Sequence, residues 1–238
     1  MPITLEIVNA KIKKTQFTKF GLGNMTEYKM VKDLITVMLN LAKGLNPNGT
    51  PLKTNQQPKL ITMSRLTYWI AEFGTKFAKQ ANVQFQQEIY NQFVGDFFEL
   101  FVEYFLKEHS KNGQYGIIDY KPALTNNGDW GVDGYGIAAN QQGGNTPAVV
   151  QVKFRTNKFD DISYTCLAKT GWDGVKNYGL DVNRPHNVIL FSNTENGANH
   201  FAQTAFGNSL YVIKKSDLDK DVAGIKTVAF WDDFNLSV

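Results

Sequence analysis

Apolar residues first recur at helical spacing from Thr26 or Glu27 onward, where Val31, Leu34, Ile35, Met38 and Leu41 fall on one face. Gly44 and the run Asn46-Pro47-Asn48-Gly49 predict the end of that helix. Residues 46–58 have loop composition, and helical spacing resumes at Ser64, passing through Tyr68, Trp69, Phe73 and Phe77. Nearer the start, Ile3 to Val8 alternates as a strand does and leads into the basic run Lys11-Ile12-Lys13-Lys14. From Asn82 to Glu108, residues Phe85, Tyr90, Phe93, Phe97, Leu100, Phe101, Tyr104 and Phe105 predict a long helix with a broad apolar face that belongs in a core. Gly95 in its interior costs about 1 kcal/mol relative to Ala, which predicts either a break between two helices or the close approach of another backbone.

Beyond Gly113 the pattern changes to short strands, predicted over Tyr115–Tyr120, Val132–Ala139, Ala148–Phe154, Asn187–Ser192 and Leu210–Ile213. A helix is expected over Phe201–Phe206, entered through Asn196 or Asn199. Lys226–Phe230 reads as a closing strand followed by the tail Trp231-Asp232-Asp233-Phe234. Helices between strands indicate an α/β layer with a mixed sheet.

At 238 residues the chain suffices for one large domain or two small ones. Mean hydropathy is −0.31, and no apolar run approaches the roughly 18 residues that a spanning helix needs. The opening residues lack the order of a secretory signal, so none is expected. The single cysteine, Cys166, closes no disulfide within the chain, and the three histidines form no zinc pattern. These features place the chain in a reducing cytoplasm. The net charge of +3 conceals a division: the first 80 residues carry twelve Lys and Arg against four Asp and Glu, the remainder thirteen against eighteen, so +8 is followed by −5. A basic module meeting a polyanion, joined to an acidic one suited to divalent metal, accounts for that division, and so does a lysine-rich face in water.

The most informative stretch is Gly128-Asp129-Trp130-Gly131-Val132-Asp133-Gly134, a Gly-rich connection ending Gly143-Gly144-Asn145-Thr146-Pro147, and then Ala148 to Arg155. Two apolar runs flanking a polar turn predict a hairpin. With the turn centred between Gly143 and Gly144, facing residue numbers sum to about 287, which brings Asp133 opposite the Gln151–Phe154 end. Alternation puts Gln151 and Lys153 on one face, and Val150, Val152 and Phe154 on the other. Mg²⁺ takes oxygen ligands and keeps several waters. Asp133, the Gln151 amide oxygen and the Val152 carbonyl supply part of such a shell, with Lys153 placed to orient water or stabilise developing charge. An amphipathic hairpin with its polar face in water fits the same residues.

Gly128-Asp129-Trp130-Gly131-Val132-Asp133 followed by Gln151-Val152-Lys153 resembles the PD-(D/E)xK nucleases, in particular the restriction-endonuclease-like domain of Mrr-type enzymes. The resemblance takes in Gly95-Asp96-Phe97-Phe98-Glu99 upstream, and downstream Asn187 to Asn193, the helix Ala198–Phe206, Leu210–Ile213 and Ser216-Asp217-Leu218, so that it covers about residues 90–222. It implies that Asp133 is the principal metal ligand and Gln151 a variant of the usual second acidic ligand, that Lys153 is the catalytic lysine, and that Glu99 completes the site, with Asp129 a weaker candidate. It further implies a restriction-endonuclease-like core with a mixed central sheet flanked by helices, Mg²⁺ or alternatively Mn²⁺ as cofactor, and water attack on phosphorus leaving a 5′-phosphate and a 3′-hydroxyl. Gln in place of Glu at 151 removes one charge from the site. Arg155 and Lys158, with Lys169, Trp172 and Lys176, are candidates for the DNA backbone beside the cut. Tyr164, Trp172 and Tyr178 lie where such enzymes carry substrate-specific insertions and are candidates for stacking or for packing, packing being the first expectation.

The expected organisation is a basic, mainly helical DNA-binding region over 1–81, including Lys11, Lys13 and Lys14, and a nuclease core over 82–238. The expected function is Mg²⁺-dependent hydrolysis of double-stranded DNA by a sequence-specific restriction endonuclease, prokaryotic or phage-encoded, acting as a homodimer in the cytoplasm. The alternatives are a structure- or modification-directed nuclease, a degraded DNA-binding module, and an RNA-directed nuclease. Asp217, Asp219 and Asp221 lack the Gly and Glu of a calcium loop, and His109, His186 and His200 stand outside any metal spacing.

Overall fold

The computed structural model describes residues 27–57, 60–123, 131–139, 146–181, 183–220 and 224–238. The expected strand at Ile3–Val8 lies outside them. The chain divides into two compact units, one formed by residues up to Phe97 together with Asp217–Val238, the other by Phe98–Ser216.

In the first unit, helix α1 (Glu27–Ala42) buries Met30, Val31, Leu34, Ile35, Met38 and Leu39, the face that its spacing predicts, against α2 (Met63–Ala78) and α7 (Val228–Ser237). Thr62 caps α2 by accepting from Arg65 N at 3.3 Å, and Asp219 Oδ1 accepts from Met63 N at 2.7 Å. Helix α3 (Gln86–His109) brings Phe93 and Phe97 into this core, where Phe97 meets Phe234 at a ring distance of 6.5 Å. Two expectations are corrected here. The C-terminal segment is a helix, because Thr227 accepts from Phe230 N at 3.2 Å and the spacing of Phe230, Trp231 and Phe234 buries one helical face. At Gly95, α3 runs on unbroken, and an added Cβ would meet nothing within 4 Å, so neither a break nor a close approach explains the glycine.

The second unit is built on a mixed five-stranded sheet of order β1 (Ile117–Pro122), β2 (Gly134–Ala138), β3 (Pro147–Lys153), β4 (Val188–Ser192) and β5 (Leu210–Ile213). The pairs β1/β2 and β2/β3 are antiparallel, and β3/β4 and β4/β5 parallel. Parallel strands need crossovers, and α4 (Tyr164–Tyr178) and α5 (His200–Phe206) provide them, followed by the short α6 (Lys215–Lys220). Every residue of β4 is buried, as suits a central strand covered on both faces. One face carries Phe154 and Phe191 against Phe98 of α3, at 5.6 and 6.1 Å. The other carries Val149 against Gly174 of α4, where an added Cβ would stand 3.2 Å from the valine. The α/β architecture with a mixed sheet is therefore the one that the sequence pattern predicts. Among the described residues no helix is long and apolar enough to cross a membrane.

The hairpin register differs from the expected one. Gly134 pairs with Val150 and Tyr135 with Val149, so facing numbers sum to 284 and Asp133 comes opposite Gln151. Pairing starts at Ile137↔Pro147 and is set by the valines that the sheet buries, rather than by the position of the glycine pair in the connection.

Candidate active site

Asp133 precedes β2, is 3% exposed, and donates its backbone N–H to Val150 O at 2.8 Å. Its Oδ2 accepts from Val152 N at 2.7 Å and from Gln151 Nε2. The same Nε2 lies 3.3 Å from Val152 O, so one amide NH₂ bridges a carboxylate oxygen and a backbone carbonyl. On its other side, Gln151 Oε1 stands 2.7 Å from the hydroxyl of Thr170 on α4, which is itself 2.6 Å from Gly131 O. Gly131 has φ +92°, a conformation that side chains rarely adopt, and its carbonyl meets Thr170 there. Asp133 thus holds one end of the Gln151 amide directly, and Thr170, itself held against Gly131 O, meets the other.

Lys153 lies two residues along β3 from Gln151, hence on the same face. Its side chain is half-buried, and its ammonium has no hydrogen bond or ion pair to any other described residue. Glu99, on the first turn of α3 within this unit, is also half-buried. Tyr120 is buried within the field of both Glu99 and Asp133: burial, and then the charges of Glu103, Asp133 and Glu99, push its phenol well above the ordinary value. The two carboxylates nominated by the motif therefore act on one buried hydroxyl, together with Glu103, which pairs with Lys107 at 2.6 Å. A register shift between Ile118 and Lys121, with Asp119 at φ +52°, turns Tyr120 inward.

Among the described residues no three His, Cys, Asp or Glu side chains stand together as a metal site. Among the described residues, carboxylates alone do not make a cation centre. The oxygens that fit Mg²⁺ are Asp133 Oδ2 and Val152 O, which already converge on the polar hydrogens of one NH₂, with the Gln151 amide oxygen one rotation away. The donor set fits a hard cation provided that this amide reverses.

Of the residues expected at the DNA, Arg155 is held at its backbone by Asn193, which accepts from Arg155 N and donates to Arg155 O, both at 2.8 Å. Its Nη1 turns back to Phe154 O at 3.0 Å. Lys158 is exposed, with Nζ 4.7 Å over the Phe159 ring. Lys169, Trp172 and Lys176 share one face of α4, and Trp172 is 75% exposed rather than packed, whereas Tyr178 packs on Tyr135 at 4.9 Å. Lys11, Lys13, Lys14 and Asp129 lie outside the described residues. His109 and His186 pack on Phe105 and Tyr211, and His200 is exposed at the start of α5.

Sequence reasoning missed Thr170 and Tyr120, since neither stands at a motif spacing and both reach the site only through tertiary packing. The first unit holds a separate cleft of about 650 Å³, lined by Gln56, Gln57, Arg65, Tyr68 and Trp69 among others. Arg65 is half-buried, and its guanidinium has no hydrogen bond or ion pair to another described residue.

No family model matches the chain, and no curated protein does. Among solved structures, the MspJI restriction endonuclease in complex with a 27-mer oligonucleotide is similar at a TM-score of 0.36 and 16% identity, over 74% of this chain and 36% of that one. The chain thus spans about a third of that protein's length, and a likeness of this degree carries no argument about fold or activity.

Proposed function

We propose that the chain is a metal-dependent deoxyribonuclease of the PD-(D/E)xK type that hydrolyses phosphodiester bonds in double-stranded DNA. The observation that carries this reading is the meeting of Asp133, Gln151 and the Val152 carbonyl at one end of a hairpin, with Lys153 on the same strand face and without a partner among the described residues.

Asp133, the Gln151 amide oxygen, the Val152 carbonyl and Glu99 are the residues that would hold Mg²⁺ or Mn²⁺. When bound, the ion supplies charge neutralisation at the phosphate and a lowered pKa for a bound water. Lys153 contributes a fixed cation beside the scissile phosphate, where charge grows as the bond to the leaving oxygen breaks. Asp133 keeps its place because Val152 N holds Oδ2, so the carboxylate needs no reorganisation on substrate binding. Arg155 and Lys158, with the basic region over residues 1–81, hold the DNA backbone. Cutting both strands calls for two such sites, hence a homodimer. A restriction enzyme reading plain duplex sequence is the specific form proposed.

One observation favours a second reading, a DNA-binding module without cleavage: the Gln151 NH₂ already satisfies Asp133, so the hairpin is stable without any ion. Incubating the protein with plasmid DNA in Mg²⁺ or in EDTA separates the two readings. Discrete fragments that require Mg²⁺ and disappear in Lys153→Ala support the nuclease. Binding that EDTA leaves unchanged, with no cleavage on unmodified or modified DNA, overturns it.

A further inference from the structure

We infer that Thr170 is a positioning residue that holds the Gln151 amide in its cation-facing orientation, so that Gln151 and Thr170 together form a latch that ion binding throws. The inference rests on the reading of Asp133 and Gln151 as part of a divalent cation site, and it concerns what must happen to the amide for that site to form.

A threonine hydroxyl donates once and accepts twice. Thr170 Oγ1 stands 2.6 Å from Gly131 O and 2.7 Å from Gln151 Oε1, both acceptors, with Cys166 O one helical turn back farther off at 3.4 Å. With one proton for two carbonyl oxygens, one of these contacts sets lone pair against lone pair, a poor arrangement for groups buried as these are. Reversing the amide removes the conflict. Nε2 then donates to Thr170, and Thr170 donates to Gly131, so every group on that side is satisfied.

At the other end the reversal has the opposite effect. It exchanges an NH₂ held by Asp133 Oδ2 and Val152 O for a third oxygen facing those two. Three buried oxygens facing one another repel unless a cation lies among them. Without the ion, the hydrogen bonds to Asp133 and Val152 hold the amide one way. With it, Thr170 and Gly131 hold the amide the other way. An amide at position 151 can be latched in this manner because its two ends differ. A glutamate presents oxygen at both ends and needs no latch, which gives the Gln at this position a role of its own.

Two measurements on the full chain test this. In ¹⁵N-labelled protein, the Gln151 side-chain NH₂ signals are identified by their loss in Gln151→Glu and followed as Mg²⁺ is added; they should move to a new hydrogen-bond environment with the same midpoint as metal binding. In calorimetry with Mn²⁺, Thr170→Val should weaken binding by about tenfold, the cost of roughly one hydrogen bond. Thr170→Ser should restore it, and in the Gln151→Glu background Thr170→Val should change affinity by less than about twofold. If Mn²⁺ binds in an Asp133-dependent way, while the NH₂ signals stay in place or Thr170→Val binds as tightly as the parent, the latch is overturned and the cation site stands. If the parent chain binds neither ion, both fall. The NH₂ measurement needs no Thr170 variant, so it decides the matter even if Thr170→Val fails to fold.

Discussion

The ring of Tyr120 lies directly on Gly134: a Cβ added to that glycine would stand 2.5 Å from the phenol oxygen. The glycine that follows Asp133 is thus the floor on which the buried tyrosine rests, and the tyrosine in turn is the group on which Glu99 and Asp133 both act. Gly134→Ala should drive the ring away and cost about 1–3 kcal/mol of stability, the usual penalty of overpacking. Cleavage should fall further than the loss of folded protein explains, because the carboxylates lose their common neighbour. Urea unfolding alongside a cleavage assay reads both, and an alanine variant of unchanged stability would show that the ring has room to shift.

The two central residues of the site should respond differently to substitution. The Lys153 side chain bonds to no described residue, so Lys153→Ala should remove cleavage while changing the unfolding free energy by less than about 0.5 kcal/mol. Asp133 Oδ2 accepts from Val152 N, so Asp133→Ala should also destabilise, by about 1–3 kcal/mol, through the buried N–H left without an acceptor. Asp133→Asn keeps an acceptor and should recover most of that stability without recovering cleavage. Full activity in Lys153→Ala would remove the lysine from the mechanism.

Much of this was legible in the sequence, for reasons that also explain what was not. Val188 to Ser192 is a run of five buried residues, and such a run reads as a central strand whatever surrounds it. The segment from Thr227 to Phe234 reads equally as a strand or a helix until the Thr227 cap is seen, because an apolar run carries no period of its own over so few residues. The hairpin was legible, but its register was three positions off, since the glycine pair does not mark the centre of the connection. The meeting of Asp133 with Gln151, and the place of Lys153 on the same strand face, were legible because these residues stand close in sequence or on adjoining strands. Thr170 is 19 residues from Gln151, on a helix with no motif, and only packing brings it there.

Gly95 offers a test of whether a glycine in the motif helix serves the fold. An added Cβ there meets nothing within 4 Å, so Gly95→Ala should raise stability by about 0.5–1 kcal/mol through helix propensity alone. If the variant gains stability and loses DNA affinity, the glycine is there for the close approach of substrate. If it gains stability and keeps its affinity, the position is simply tolerant.

The first unit carries a built-in pH dependence. Glu27 is 2% exposed, and burial, followed by the charge and hydrogen bonding of Asp96, pushes its carboxyl up to about 10 from 4.5. A folded-state value above the unfolded one means that the folded chain holds the extra proton. The stabilisation is fully present below 4.5 and is lost as pH rises toward about 10. Within that window stability should fall with a slope of up to about 1.4 kcal/mol per pH unit. Glu27→Gln carries the neutral form at every pH, so it should flatten the slope and be the more stable protein above neutrality. Urea titrations at a series of pH values measure this, and equal slopes in parent and variant would remove Glu27 as the cause.

Arg65 tests the part assigned to the first unit in DNA binding. Its guanidinium lines a cleft beside Tyr68 and Trp69, whose rings meet edge to face at 5.3 Å, and it has no other described residue to bond. A half-buried guanidinium beside aromatic rings, with no partner among the described residues, suits a nucleic acid in either of two ways. If Arg65 contacts a phosphate, Arg65→Ala should lower affinity for all sequences alike and reduce the slope of log K against log salt by about 0.9, the release of one counterion. If it reads a base edge or stacks on one, affinity should fall by about 1–3 kcal/mol for preferred sequences only, with the salt slope unchanged. Affinity and slope that both match the parent would take the cleft out of the interface and leave the contacts to Arg155, Lys158 and the exposed face of α4.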